Sequence, residues 1–386
     1  MRILTILAGV ILLAACNTSP AVFPTSTSLR TDNWGTQPAI QETRTVTATQ
    51  PVEEVIPQPS EKFPQINPLT GLEVDPGILD RRPILVKIEN LPRTSRPQWG
   101  LNSADIIYEY YTEEGTTRFA AIFYGEDTNQ AAPIRSARWF DIQLVQMYHS
   151  IFVFGSAYSD LLNALFESDF KERLIIEQPD SCPALCRYDP RGHDYLMADT
   201  VELQTYIEKM GINNDRQNLA GLNFNPNLLP DGDKAAHVFI RFSGAIYNRW
   251  DYDLATGRYL RFSDVKDDID HRAELYEPLY DRRTGLQVGT DNLVVILTDY
   301  VPLIITETSQ VYDIPLMGTG WAYIFRDGQV YSADWVRDKS DGVLKFLYPD
   351  GTQFEFRPGK TWIEVLNRSS TWATEEESWR FEFKLP

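Results

Sequence analysis

A central β-strand is predicted by the run Ile84-Leu85-Val86-Lys87-Ile88-Glu89, because apolar and β-branched side chains suit a strand buried within a sheet. Two more strands are predicted further along the chain, at residues 105–111 and 118–124. The segment Glu113-Glu114-Gly115 between them is short and polar and contains glycine, which favours a β-hairpin. The folded part of the chain is therefore expected to start as a sheet.

Helical segments follow these strands. Apolar side chains between residues 137 and 148 recur at spacings that place them on one face of a helix. A second helix is predicted at 159–166, and a third between the capping residue Asp199 and Gly211. Because strands and helices alternate, residues 66–225 are predicted to form a mixed α/β domain.

The pattern changes after a cluster of turn-forming residues at 221–234, which is typical of a domain junction. Short strand candidates dominate from there on, and Asp327-Gly328 and Asp350-Gly351 each lie between two apolar runs, a strong hairpin signal. Residues 235–366 are predicted to form a β-rich domain, with residues 367–386 as a loose tail or an added edge strand. The predicted fold class is α+β, a mixed α/β amino-terminal domain followed by a mostly β carboxyl-terminal domain.

Residues 1–16 have the pattern of a secretory signal peptide. Arg2 provides a positive start, and the apolar run that follows has about 11 residues, half of the roughly 20 that a helix needs to cross a bilayer. The run ends in Leu13-Ala14-Ala15-Cys16, which resembles the lipobox of bacterial lipoproteins. The resemblance implies that the thiol of Cys16 receives a diacylglycerol and that Cys16 becomes the first residue of an acylated, palmitate-type lipoprotein. The alternative is an uncleaved anchor or a chance cysteine after an ordinary signal peptide.

Residues 17–65 are rich in Thr, Ser, Pro, Gln and Ala and show no sustained apolar period, which predicts a disordered tether. An extended arm packed on the folded body is the alternative, with Trp34 and Val55-Ile56 as its anchors. A tether behind an acylated Cys16 predicts an extracytoplasmic protein that is attached to the cell membrane by its lipid.

The composition excludes several classes of protein. The chain has 43% hydrophobic and 23% charged residues, which fits neither a polytopic membrane protein nor a wholly disordered one. Its 36 basic and 54 acidic residues give a net charge of -18. A field of that sign repels a phosphate backbone, so no nucleic acid partner is expected.

Several motifs of the folded body resemble those of one protein family. They are Asn67-Pro68-Leu69-Thr70-Gly71-Leu72, Arg82-Pro83, Arg96-Pro97-Gln98, Gly100-Leu101, Ala104-Asp105-Ile106-Ile107-Tyr108-Glu109, Thr117-Arg118-Phe119, Pro133-Ile134-Arg135-Ser136-Ala137-Arg138, Gly318-Thr319-Gly320 and Pro358-Gly359-Lys360-Thr361-Trp362-Ile363. Their order and spacing are similar to those of the YerB-like family of bacterial lipoproteins, over about residues 66–366. The resemblance implies an extracytoplasmic lipoprotein with a mixed α/β domain and a second, β-rich domain, and it carries over no activity.

Three arginines, Arg118, Arg135 and Arg138, lie close together in the sequence of an otherwise acidic protein. A guanidinium group recognises a carboxylate or phosphate through two parallel hydrogen bonds, so one interpretation is a binding site for an anionic ligand. The other interpretation is that these groups form internal ion pairs with carboxylates of the same chain, the candidates being Asp105, Glu109, Glu113, Glu114 and Asp141.

His193 and Asp194 form a second candidate site. Imidazole titrates near neutrality, so His193 could be a general base or a further contact to an anion. Where the YerB-like family tends to show Pro-His-Asn, this chain has Gly192-His193-Asp194, a carboxylate in place of the amide. A histidine in a loop more often has neither role.

Cys182 and Cys186 flank Pro183-Ala184-Leu185 in a turn-rich loop, and they are the only cysteines besides Cys16. Oxidising conditions outside the cytoplasm favour a local disulfide between them. Two free thiols are an alternative, and a zinc site is a weaker one because a fourth ligand is missing. No metal and no cofactor are therefore predicted.

Familiar enzyme signatures are missing, including a Gly-x-Ser-x-Gly elbow, a His-Glu-x-x-His motif and a phosphate-binding glycine-rich loop. The acidic segment 264–270 lacks the spacing of a calcium loop and is predicted to be a solvated loop. The chain is thus expected to be a binding or accessory protein of the cell envelope, with an anionic or glycan-type ligand near the arginines and His193. There are two alternatives. One is a cell-envelope hydrolase that uses His193, and the other is a purely structural protein that acts as a partner of another envelope protein.

Overall fold

The computed structural model describes residues 65–75, 77–189, 195–271, 273–306 and 309–386. The predicted signal peptide with Cys16, the predicted tether up to residue 64, and both His193 and Asp194 lie outside the described residues. Within the described ranges, no helix combines the length and the apolar character that crossing a bilayer demands.

The amino-terminal half alternates strands with three helices. The strands are β1 (Gln65–Ile66), β2 (Glu73–Val74), β3 (Ile84–Glu89), β4 (Ile106–Tyr111), β5 (Thr117–Phe123), β6 (Ile151–Val153), β7 (Leu174–Ile175), β8 (Leu185–Arg187) and β9 (Leu196–Ala198), and the helices are α1 (Trp139–Tyr148), α2 (Ser159–Glu167) and α3 (Thr200–Met210). The carboxylate of Asp199 accepts hydrogen bonds from the first turn of α3, and Gly211 ends that helix in a left-handed conformation, as predicted.

The carboxyl-terminal half consists of strands. They are β10 (Asn223–Phe224), β11 (Asp233–Lys234), β12 (His237–Arg241), β13 (Tyr247–Asp253), β14 (Arg258–Asp264), β15 (Tyr276–Pro278), β16 (Gly289–Thr290), β17 (Asn292–Thr298), β18 (Val301–Ile305), β19 (Gln310–Asp313), β20 (Gly318–Arg326), β21 (Gln329–Arg337), β22 (Lys345–Leu347), β23 (Glu355–Phe356), β24 (Thr361–Asn367), β25 (Thr371–Glu375) and β26 (Ser378–Glu382). The predicted α+β class is confirmed: a mixed α/β half precedes a largely β half.

The larger of the two main sheets contains strands from both halves of the chain. Its order is β11-β21-β20-β17-β24-β4-β5-β3-β6-β7, with β22 also paired to β21. The halves join where β4 and β24 run parallel, in a register that places Glu109 beside Glu364. The described residues form one compact unit. The division into domains at residues 66–225 and 235–366 stays a prediction, namely that each of these segments folds as a unit.

The second sheet has the order β15-β14-β13-β12-β26-β25, with β16 also paired to β14. Its last two strands come from the end of the chain, where β26 runs parallel to β12 and β25 forms a hairpin with β26. Residues 371–382 therefore contribute strands at one side of this sheet.

Strand β4 is buried on both faces, and its alternating side chains point to two different layers. On one face, the rings of Tyr108 and Tyr110 pack against Phe140 of α1, with centroids 6.0 and 4.7 Å apart. On the other face, Glu109 forms a 2.7 Å ion pair with Arg261 of the second sheet. The larger sheet is thus sandwiched between α1 and the second sheet.

The contact between the sheets is a buried ionic cluster. The guanidinium of Arg261 lies between the carboxylates of Glu109 and Glu364, and its Cζ atom is 4.6 Å from the ring centroid of Trp362 and 5.1 Å from that of Trp250. The indole of Trp250 donates a 3.1 Å hydrogen bond to Glu364. Burial and the neighbouring charge of Glu109 raise the pKa of Glu364 well above its ordinary value.

Candidate functional site

A cleft of about 500 Å³ opens where the carboxyl end of β4, the start of α1 and the β18–β19 hairpin meet. We name it the tyrosine cleft. Its walls combine aromatic rings with hydroxyl, amide and charged groups, from Tyr110, Tyr111, Thr112, Glu113, Glu114, Ser136, Arg138, Phe140, Ala157, Tyr158, Ile304, Ser309, Gln310, Val311, Tyr312 and Ile314. Clefts of this size and mixed lining are typical of small-ligand sites.

The hairpin wall of the cleft is tied to β4 through Tyr111. The hydroxyl of Tyr111 donates a 2.9 Å hydrogen bond to the side-chain oxygen of Gln310 and accepts one of 2.9 Å from the backbone of Gly115. Its ring lies 6.0 Å from that of Tyr312. On the opposite wall, the indole of Trp139 donates a hydrogen bond to the hydroxyl of Tyr158. These contacts fix the positions of the tyrosine rings in the walls of the cleft.

Two of the three predicted arginines meet on one carboxylate at this cleft. Arg138 donates hydrogen bonds to both carboxylate oxygens of Glu113, and the bond from its Nε is 2.5 Å long. A terminal nitrogen of Arg118 lies 3.3 Å from the same carboxylate. Burial works to raise the pKa of Glu113, but the hydrogen bond and charge of Arg138, with the charge of Arg118, hold it below its ordinary value. Burial and the charge of Arg138 lower the pKa of Arg118 to about 10.

The third predicted arginine has a different partner. Arg135 forms a 2.7 Å ion pair with Glu89, whose other oxygen accepts a 2.7 Å hydrogen bond from Ser95. Each predicted arginine therefore has a carboxylate of the same chain as its partner, and Arg138 is the one of the three that also lines the cleft. Glu89 was not among the partners that the sequence suggested, because it closes an apolar strand.

A buried polar cluster that the sequence did not suggest lies directly behind the cleft. The ammonium of Lys87 is fully buried, 3.1 Å from Oδ1 of Asp141, and it also contacts the hydroxyl of Tyr110. Tyr110 donates a 2.5 Å hydrogen bond to the same carboxylate, which also accepts one of 2.7 Å from the backbone N–H of Arg138. Asp141 therefore connects the floor of the cleft to the start of α1.

The electrostatics of this cluster are set by burial. Burial lowers the pKa of Lys87 to about 7, although Asp141 acts to raise it, and the charges of Arg118 and Arg138 lower it further. Burial and Asp141 raise the pKa of Tyr110 well above its ordinary value. The one signal available in the sequence was the charge of Lys87 inside an otherwise apolar run.

The other sequence predictions have different outcomes. Cys182 and Cys186 are joined by a disulfide, with their Cα atoms 5.1 Å apart. His193 and Asp194 lie outside the described residues, so their candidate role stays a prediction. Among the described residues, no group of three or more acidic, histidine or cysteine side chains is placed to hold a metal ion.

The prediction of a solvated acidic loop at 264–270 is wrong for two of its members. Asp264 is almost fully buried and lies 2.6 Å from Arg93 and 3.1 Å from Arg96. Asp268 is also buried, 3.0 Å from Arg241. These arginines come from distant parts of the chain, so local composition gave no sign of the pairing.

Two family models match the chain. The amino-terminal domain described as "Protein of unknown function (DUF3048)" matches residues 69–212, and the carboxyl-terminal domain of the same description matches residues 238–363. The chain belongs to this family.

One relative is YerB of Bacillus subtilis strain 168, which is named as a candidate lipoprotein. It is 29% identical over an alignment of 334 positions, which covers 81% of this chain and 89% of the relative. The crystal structure of YerB from Bacillus subtilis is similar to this structure with a TM-score of 0.65 and 26% identity, covering 78% of this chain and 96% of the solved chain. The predicted resemblance to the YerB-like family is thereby confirmed.

Proposed function

We propose that the protein is a membrane-anchored, extracytoplasmic binding lipoprotein of the cell envelope, and that the tyrosine cleft binds a glycan. The observation that carries the proposal is the cleft itself, whose walls place tyrosine rings next to polar side chains. Sugars present apolar C–H faces to aromatic rings and hydroxyl groups to polar side chains, and this lining offers partners for both.

Of the two ligand types expected from the sequence, the glycan is the better supported. The guanidinium of Arg138 is already paired with Glu113, so an anionic ligand would have to displace an internal carboxylate. Glu114 adds a second negative charge at the rim. A hydroxyl-rich ligand can instead accept from Arg138 and donate to Glu113 without breaking their pair.

Membrane attachment is supported by the lipobox pattern at Cys16 and by the similarity to a candidate lipoprotein. We expect that cells grown with a labelled fatty acid incorporate the label into the wild-type protein, and that a Cys16→Ala variant remains unlabelled. Gel fluorography with membrane fractionation measures both results. Equal labelling of the two proteins, or recovery of the wild-type protein from the cytoplasm, would contradict the anchor.

The cleft is tested by calorimetric titration of the full chain, held in a polyoxyethylene detergent, with cell-wall glycan fragments of defined length. We expect heat of binding from the wild-type protein and at least about tenfold weaker binding by Tyr158→Ala, because one ring stacked on a ligand contributes on the order of 1 kcal/mol or more. Tyr280→Ala is the matched control, since Tyr280 is 46% exposed and lies outside the cleft. The absence of heat with every glycan, or equal weakening by both variants, would refute the cleft as the binding site.

A further inference from the structure

A second, smaller site lies on the outer face of the β20–β21 hairpin, separate from the tyrosine cleft. It is a groove of about 390 Å³, which we name the tryptophan groove, and its characteristic side chains are Trp321, Tyr323, Asp334 and Trp372. Neither the family description nor the relatives assign a role to it.

The register of the hairpin brings these side chains together. Trp321 is the direct cross-strand partner of Asp334, and Tyr323 is the partner of Ser332. Directly paired residues of antiparallel strands point to the same face with their Cβ atoms about 5 Å apart. Trp372 of β25 completes the groove, with its ring centroid 5.4 Å from that of Tyr323 at an interplanar angle of 54°. The inclined rings of Tyr323 and Trp372, together with the indole of Trp321 beside the carboxylate of Asp334, therefore form a partial aromatic cage.

The aromatic side chains of the groove are open to solvent. Trp321 is 57% exposed and Trp372 is 41% exposed, and a folded protein gains nothing from leaving two indoles in water. Asp334 is half-buried beside them, and its carboxylate forms no ion pair or side-chain hydrogen bond with any described residue. Among the residues that the structure describes, no basic side chain lines the groove.

We propose that the tryptophan groove binds a small quaternary ammonium compound, a choline-type cation. Aromatic faces attract a cation through their quadrupoles, and a methylated ammonium needs no hydrogen-bond acceptors. The unpaired carboxylate of Asp334 supplies a complementary charge, in the field of a chain whose net charge is -18.

The same chemistry predicts what the groove rejects. A primary ammonium needs three hydrogen-bond acceptors, while the polar side chains of the groove are those of Asp334 and Ser332. A zwitterion such as glycine betaine brings a carboxylate into an acidic field, so it binds more weakly than choline. The neutral isostere 3,3-dimethylbutan-1-ol has the shape of choline without its charge, and it lacks the cation–π attraction.

The test is a calorimetric titration of the full chain, in a detergent without choline headgroups, with choline, glycine betaine, lysine amide and 3,3-dimethylbutan-1-ol. Choline is expected to bind at least about tenfold more tightly than the other three. Asp334→Asn and Trp372→Ala are each expected to weaken choline binding by about tenfold. Asp338→Asn and Tyr280→Ala, which change exposed residues outside the groove, are expected to leave it unchanged.

Asparagine has the same size as aspartate and can occupy the same half-buried position, so Asp334→Asn is expected to fold. This variant therefore still tests the groove if Trp372→Ala does not fold. Equal binding of the neutral isostere, tighter binding of lysine amide, binding of choline only when it is displayed on phosphatidylcholine vesicles, or no heat with choline up to about 50 mM would each overturn the proposal. So would choline binding that neither groove variant changes.

Discussion

Arg261→Met is expected to lower the free energy of unfolding by about 3–5 kcal/mol, the range found when one partner of a buried ion pair is removed. Arg261 is 1% exposed and is the ion-pair partner that the second sheet offers to Glu109 of the larger sheet. Without it, the fully buried carboxylate of Glu109 would keep the hydrogen bonds from Asn90, Thr117 and Asn248 but lose its cationic partner. The measurement is the urea unfolding curve followed by tryptophan fluorescence, with a lower midpoint as the expected result.

Arg249→Met is the matched control for this variant. Arg249 lies on a neighbouring strand, forms a 2.9 Å pair with Asp251 and stacks on Phe262 at 4.4 Å, but its side chain is 28% exposed. Its replacement is expected to cost about 1 kcal/mol, since a partly solvated pair contributes little. Adding Glu109→Gln to Arg261→Met is expected to restore part of the lost stability by removing the buried charge. Equal destabilisation by the two arginine variants, with no rescue, would contradict this account.

Lys87→Met is expected to remove a pH dependence from the stability of the protein. Burial lowers the pKa of Lys87 from 10.5 in the unfolded chain to about 7 in the folded protein. Between these values the unfolded chain holds the proton and the folded protein has released it. The contribution of Lys87 to stability is therefore present in full above about pH 10.5, falls progressively as the pH is lowered, and is lost once the pH has passed through the folded-state pKa of about 7.

The expected size of this effect is at most about 1.4 kcal/mol per pH unit between pH 9 and 7, with no further change from Lys87 below that range. The measurement is the difference in unfolding free energy between the wild type and Lys87→Met at pH 6, 7, 8 and 9. Lys345→Met changes an exposed strand residue and is expected to keep the wild-type dependence. If Lys87→Met retained the slope of the wild type, Lys87 would not be the titrating group behind the cleft.

Both predictions concern charged residues that lie within apolar strands. Lys87, Glu109 and Glu364 are charged residues within strands that are buried along their whole length. In the sequence they look like small irregularities in a hydrophobic run. In the folded protein they connect the larger sheet to α1 on one face and to the second sheet on the other.

The site shows a similar division between what could be predicted and what could not. The sequence singled out Arg118, Arg135 and Arg138 and left open whether they bind a ligand or pair internally. The structure gives Glu113 as the shared partner of two of them and adds the β18–β19 hairpin, with the ring of Tyr312, as another wall of the cleft. Gln310 of this hairpin, which hydrogen-bonds to Tyr111, is 199 residues away from it in the sequence, so no local pattern could place the hairpin there.

Local sequence was sufficient for the three helices, for most of the long strands and for the α+β class, because hydrophobic periodicity, capping residues and turn formers act over a few neighbouring residues. The joining of the two halves in one sheet, the burial of Asp264 and the position of both clefts were decided by tertiary structure. These features depend on strand register and on charge pairs between residues far apart in the chain. The free energy that favours them arises only when the surrounding side chains exclude water, because burial fixes the register and strengthens the charge pairs.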